Sequence, residues 1–294
     1  MMSSNARPVA GWKVVGASTR GAAHVAASVP NQDAIGWQCE GDDICILAVS
    51  DGHGSPKCFR SHIGASLAVA AALHRLESFA YAAKGRDVHL SGNARESFAR
   101  ELTEEWSRRV AQHLFDHPFT ADELRTQPFA SATLDPLLVY GTTLVTVLLT
   151  SAFALYAQIG DGAILCINEL GSTRRIFTKD PSLDINETES LSQPEAWRFL
   201  QLELAPLSGS VPAIIALTTD GYVNSFATEA DFLQVGPDLR EMLVTQGVDG
   251  LARVLPAIVH DASRSGSGDD VTLGIITRID DRQETNRSDE RISA

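Results

Sequence analysis

Cysteine is scarce in this sequence: Cys39, Cys45, Cys58 and Cys166 are spread over 294 residues, with no Cys-x-x-Cys pair and no histidine at zinc-ligand spacing. That spacing excludes a disulfide-stapled fold and an ordinary zinc site, and the four thiols are expected to be small buried apolar groups in a reducing compartment. Positive charge is also in short supply. Against 37 Asp and Glu there are 24 Lys and Arg, a net charge of −13, which argues against a nucleic-acid backbone or an anionic membrane as the main partner. Phosphate chemistry stays open if cations bind first. No run approaches the ~18 consecutive apolar residues of a membrane span, and the N-terminus lacks the apolar stretch of a secretory signal, so the expected location is cytoplasmic. No internal repeat is present.

What is present is enough apolar sequence, 44% of 294 residues, to bury a large core. We expect one domain over residues 1–280 and a charged, flexible tail over 281–294. Runs rich in Val, Ile and Thr predict strands at 12–18, 44–50, 142–150, 152–160, 163–168, 174–178, 213–219 and 271–279, and a short strand after Asn31-Gln32-Asp33. Helical spacing predicts helices over 61–83 and 95–115, and one or more over 226–262. Residues 116–140 and 180–212 read as irregular. Strands arriving in groups, with long helices between the groups, predict an α+β layered domain rather than a parallel βαβ sheet.

Asp51-Gly52, Asp161-Gly162 and Asp220-Gly221 each close an apolar strand-like run. Asp-Gly is also a common hairpin turn. After Asp161-Gly162 another strand follows, so the hairpin reading stays open there. The chain turns helical or irregular after the other two, and no partner strand is waiting. Asp249-Gly250 lies inside a helical region and is assigned nothing. Asp269-Asp270 stands before the last strand, where adjacent carboxylates repel unless one is solvated or a cation is near. Acids at distant strand ends can be gathered at one sheet edge, and a divalent cation would remove the cost of gathering them. Hard oxygen donors select Mg²⁺ or Mn²⁺ over zinc.

In order along the chain, Asn31-Gln32-Asp33, Asp51-Gly52-His53-Gly54, Gly141-Thr142-Thr143, Ile159-Gly160-Asp161-Gly162, Thr218-Thr219-Asp220-Gly221 and Gly268-Asp269-Asp270-Val271-Thr272 resemble the motifs of the protein phosphatase 2C (PP2C) family of metal-dependent serine/threonine phosphatases. The resemblance spans roughly residues 12 to 279. His24, with Asn186-Glu187-Thr188, is more like the family's bacterial branch. It implies a four-layer α-β-β-α sandwich of two antiparallel sheets flanked by helices, with metals at one end.

Carried over by motif, the resemblance makes Asp51 the carboxylate bridging two metals and Gly52 the carbonyl ligand of one. Asp220 and Asp269 become ligands of the other, and Asp33 an acid holding metal-bound water. Asp161, with Asp220, is implied for a third ion. His53 is a candidate proton donor to the leaving oxygen, with loop packing as the alternative. The implied activity is hydrolysis of phosphoserine and phosphothreonine in proteins by a metal-bridged hydroxide, with Mg²⁺ or Mn²⁺ as cofactor, opposing a serine/threonine kinase.

Two departures stand out. Ser28 occupies the place where the family usually has a phosphate-gripping arginine, and Gln32 stands where many members have Glu; His24 or Arg20 is expected to compensate for the first. No cysteine is followed six residues later by arginine, and no Asp-x-Asp-x-Thr or Asp-x-Asp-x-Val stretch occurs, so the cysteine-based and aspartyl-phosphate routes lack their motifs. Two other readings are carried along. One is a catalytically silent relative that binds a phosphoprotein or another partner, and the other is a two-metal phosphodiesterase, whose usual His-rich clusters are missing here.

Overall fold

Strands that read as unbroken apolar runs do so because both of their faces are covered. The computed structural model describes residues 11–278, except 42, 87, 126–133, 179–187 and 208–210. Its strands are β1 (Trp12–Thr19), β2 (Asp33–Glu40), β3 (Ile44–Asp51), β4 (Leu144–Thr150), β5 (Phe153–Ile159), β6 (Ala163–Ile167), β7 (Thr173–Arg175), β8 (Gln201–Pro206), β9 (Ile214–Thr218) and β10 (Val271–Arg278). The helices are α1 (Ala22–Ala27), α2 (Ser61–Ala83), α3 (Asn93–Asp116), α4 (Ala121–Arg125), α5 (Pro136–Val139), α6 (Asp220–Val223), α7 (Glu229–Leu233) and α8 (Val235–Ala262). The strands form two five-stranded sheets, ordered β1-β10-β9-β6-β7 and β2-β3-β4-β5-β8. Every strand pair is antiparallel.

The period-2 geometry of a strand sorts its side chains between two cores. On β3, Ile44, Ile46 and Ala48 face α2 and α3, while Cys45, Leu47 and Val49 face the other sheet. On β9, Ile214 and Ala216 face the α8 side, while Ile215 and Leu217 point between the sheets. The result is the expected sequence of helix layer, sheet, sheet, helix layer. Alanines at Ala65, Ala68, Ala71 and Ala72 let α2 lie close on its sheet. The buried Trp106 of α3 donates to the Gly64 carbonyl of α2 at 3.1 Å and fastens the two helices together.

Several expectations are corrected. Cys39 and Cys45 stand directly opposite each other in the β2–β3 ladder and are joined as a disulfide, so these two are not free thiols. Only Cys58 and Cys166 are free and buried. The stretch read as irregular, 180–212, contains β8, and 116–140 contains α4 and α5. Residues 229–267 reach the mean hydropathy of a membrane span, 1.3 over the best window, although no unbroken apolar run is present. Leu239, Leu243, Leu251, Leu255 and Val259 of α8 pack on the first sheet. Residues 281–294, and Asn186 and Glu187, lie outside the described residues.

Antiparallel order also places the acids. β3, β5 and β9 end, and β2 and β10 begin, at the same end of the sandwich, which brings Asp51, Asp161, Asp220, Asp33 and Asp269 to one edge of the two sheets.

Candidate metal centre

At that edge lies a cavity of about 190 Å³ lined by His24, Gln32, Asp51, Gly52, His53, Gly54, Thr143, Asp161, Thr188, Asp220 and Asp269. No Lys or Arg is among them. A larger surface cavity, about 450 Å³, lies between Leu90, Arg95 and Glu203 and contains none of these acids.

Asp51 is the last residue of β3. Its carbonyl accepts from Thr143 N at 2.8 Å and Thr142 Oγ1 at 2.7 Å, which locks the strand end against the start of β4. Its carboxyl pKa is pushed well above the ordinary range, first by burial and then by the charges of Asp33 and Asp220, with Asp269 adding to the effect. Asp33, its partner across the ladder, is raised to about 8, mainly by burial. The Oδ2 atom of Asp33 accepts from Thr219 Oγ1 at 2.8 Å and Thr272 Oγ1 at 2.6 Å, the first just past the end of β9 and the second in β10 of the opposite sheet. Asp33 therefore ties the sheets together, while its buried Oδ1 has no protein partner.

Gly52 sits where the chain leaves β3, donating its N–H to the Gln32 carbonyl at 3.1 Å. A Cβ there would lie 2.7 Å from the Ser61 backbone, so only glycine permits this path. Asp161-Gly162 is not a hairpin. β5 and β6 belong to different sheets, and Gly160, at φ +97°, turns the chain across between them. Asp161 then accepts from Thr188 Oγ1 at 2.8 Å. Asp220 opens α6 and accepts from Asn224 Nδ2 at 3.0 Å.

Adjacent residues part company before β10. Asp269, 48% exposed, turns to the cavity, whereas Asp270 is 2% exposed and accepts from Gly21 N and Gln32 N, each at 2.6 Å. Asp270 braces loops and does not line the cavity. His24 Nδ1 lies 2.9 Å from Asp270 Oδ1, and its Nε2 3.6 Å from Asp269 Oδ1. Arg20 is directed elsewhere, donating from Nη2 to the His24 carbonyl at 3.0 Å. The His53 N–H donates to the Gly141 carbonyl at 3.0 Å; burial lowers its ring pKa, against the opposing pull of Asp161.

The residues fit a divalent ion. Buried like charges raise one another's pKa, and Asp33 Oδ1 and Gln32 Oε1 are buried acceptors without protein donors. Carboxylates and a glycine carbonyl form a hard-oxygen donor set. Sequence reasoning gave no role to Thr143, Thr219 or Thr272, although their place inside the Gly-Thr-Thr, Thr-Asp-Gly and Asp-Val-Thr motifs was the available signal.

A family model described as protein phosphatase 2C matches residues 20–256. Comparison with curated protein sequences finds no match. Among solved structures, the serine/threonine phosphatase Stp1 from Staphylococcus aureus is 15% identical with TM-score 0.57, covering 91% of this chain and 95% of that one. The Mycobacterium tuberculosis serine/threonine phosphatase PstP/Ppp is 16% identical with TM-score 0.54, over 90% and 98%. The catalytic domain of PstP in complex with two manganese ions is 16% identical with TM-score 0.54, over 92% and 99%.

Proposed function

The chain belongs to the protein phosphatase 2C family, and on that premise we propose that it hydrolyses phosphoserine and phosphothreonine in proteins with Mg²⁺ or Mn²⁺, opposing a serine/threonine kinase. One observation carries the reading. Acids from five strand ends meet at one sheet edge, and four of them line a cavity that has no Lys or Arg among its described lining residues. Two divalent ions bound there would supply hydroxide near neutral pH and offset the charge of the phosphate oxygens.

The chain's own residues hold that centre in place. Asp51 would serve both ions and the Gly52 carbonyl one of them, Asp220 and Asp269 are assigned to the other, and Asp161 with Asp220 to a third. Asp33 holds water through the oxygen its threonines leave open. His53, lining the cavity, is assigned proton donation to the leaving oxygen, a role strongest below neutral pH because burial depresses its pKa. Arg20 acts by holding α1 through the His24 carbonyl, so Arg20→Ala should alter substrate affinity only as far as α1 shifts.

The test is hydrolysis of p-nitrophenyl phosphate and a phosphothreonine peptide with Mn²⁺, with and without EDTA, beside Asp51→Asn. We expect activity only with metal, and a loss of about 10³-fold or more in the variant. Turnover that survives chelation, or full rate in Asp51→Asn, overturns the reading.

A further inference from the structure

α1 buries none of its six residues, yet it is pinned against the loop before β10. Ala22 N donates to Ser263 Oγ at 3.1 Å and Ala23 N to the Gly268 carbonyl at 2.9 Å. The helix holds one chemically capable side chain in place, His24, whose ring lies between Asp269 and Asp270.

The two acids face different nitrogens of that ring. Asp270, fixed by two backbone N–H groups, faces Nδ1 at 2.9 Å. That close approach is not a hydrogen bond, since Nδ1 is buried without a hydrogen-bond partner, and it leaves Nε2 as the ring nitrogen on the Asp269 side. Nε2 lies 3.6 Å from Asp269 Oδ1, and both residues line the cavity while Asp270 does not. Two ligand atoms each ~2.1 Å from one ion stand ~3 to 4 Å apart when they occupy neighbouring positions. An independent feature of the same cavity also calls for a cation or its water. Gln32, 6% exposed, donates from Nε2 to Ser61 Oγ at 2.7 Å and leaves its Oε1 buried without a partner.

We infer that His24, through Nε2, is a nitrogen ligand of the ion held by Asp269. The inference rests on the metal centre proposed above. It also goes beyond an all-oxygen donor set. Imidazole suits first-row transition ions better than Mg²⁺, so a nitrogen ligand tilts this position away from Mg²⁺ and toward a transition ion, and His24 serves the metal instead of gripping phosphate.

The experiment uses the full chain, stripped with EDTA and reloaded with Co²⁺ for proton NMR or Mn²⁺ and Mg²⁺ for calorimetry. The Co²⁺ form should show an exchangeable imidazole N–H shifted far outside the diamagnetic range and lost in His24→Gln. In that variant, Mn²⁺ affinity should fall about tenfold or more and Mg²⁺ affinity less than about threefold.

Absence of the signal in the wild-type Co²⁺ form overturns the inference, and that measurement needs no variant to fold. Unchanged Mn²⁺ affinity in His24→Gln, with a raised KM for p-nitrophenyl phosphate, overturns it in favour of a phosphate donor. A wild-type chain with the shifted signal but no phosphatase activity upholds this inference and overturns the proposed function. Hydrolysis without the signal overturns this inference alone.

Discussion

The two ends of the β2–β3 ladder carry opposite kinds of pair. At one end Asp33 stands opposite Asp51, and one pair in from the other end Cys39 stands opposite Cys45. Like charges directly across an antiparallel ladder repel, and here burial adds to the repulsion by lifting both carboxyl pKa values. The cysteine pair is a covalent tie that needs nothing further. The acidic end is thus unfavourable by itself and tolerable with a cation, held in register by a ladder whose other residues and other end are stable alone. Binding at the acidic end and anchoring at the cystine end are physically separate, and that separation can be tested.

The largest effect should come from charging the acidic end without metal. Both acids have folded-state pKa values raised above the unfolded value of about 3.9. The folded chain then holds protons that the unfolded chain releases, so this contribution is at its best below about pH 4 and is lost as pH rises toward 8. For Asp33, raised to about 8, the loss is on the order of several kcal/mol. His53, His62 and His113, with pKa values lowered mainly by burial, titrate in the same window with the opposite sign. The clean measurement is therefore a difference. Metal-free Asp51→Asn should melt above metal-free wild type, by a margin that widens from pH 5 to pH 8 and reaches about 10 °C. A margin that shrinks with pH would show that the acids are not coupled as described.

The acids were legible because antiparallel strand ends collect them, and Asp-Gly after an apolar run marks those ends. The layering was legible too, since runs such as Ile44–Asp51 are apolar on both faces only when a layer covers each. Asp161-Gly162 was ambiguous for a physical reason. Strand, Asp-Gly, strand is equally a hairpin or a crossing, and only the assignment of β5 and β6 to different sheets decides it. β8 was missed because, as an edge strand, it buries little beyond Leu202. The Cys39–Cys45 bond was missed because six residues of spacing mean nothing until the register sets the two opposite each other. The dipeptide Asp269-Asp270 alone did not tell which acid faces the cavity, since adjacent side chains diverge and tertiary neighbours make the choice; the family resemblance, which singled out Asp269, carried that information.

A smaller effect should come from the backbone that positions Asp220 and Asp269. Gly221 lies inside α6, where Gly→Ala ordinarily stabilises by up to about 1 kcal/mol. Here a Cβ would stand 2.0 Å from the Asp270 carbonyl, a backbone atom that cannot swing aside. Gly221→Ala should therefore destabilise by about 2 to 3 kcal/mol in a urea titration. It should also weaken Mn²⁺ binding, because the displaced loop carries Asp269. A stabilised variant would mean that this loop yields easily and does not fix the metal site.

The smallest effect belongs to the cystine end. Closing a loop of roughly six residues contributes about 2 kcal/mol in the chain-entropy account, and a ladder already in register reduces what the bond adds. Cys39→Ser breaks it with least disturbance, because Cys39 is exposed while Cys45, 0% exposed, remains as a buried apolar thiol. We expect a loss of at most about 2 kcal/mol by denaturant titration. Cys39 lies six positions along β2 from Asp33, a span of about 20 Å, and β3, which carries both Cys45 and Asp51, is also held along its length by its ladders with β2 and β4. Mn²⁺ affinity should consequently stay within about twofold of wild type, well short of the tenfold or greater losses that follow from disturbing a ligand's supporting contacts. A tenfold loss in Cys39→Ser would mean that the cystine end holds the acidic end in its binding geometry, so that the ladder acts as one mechanical unit.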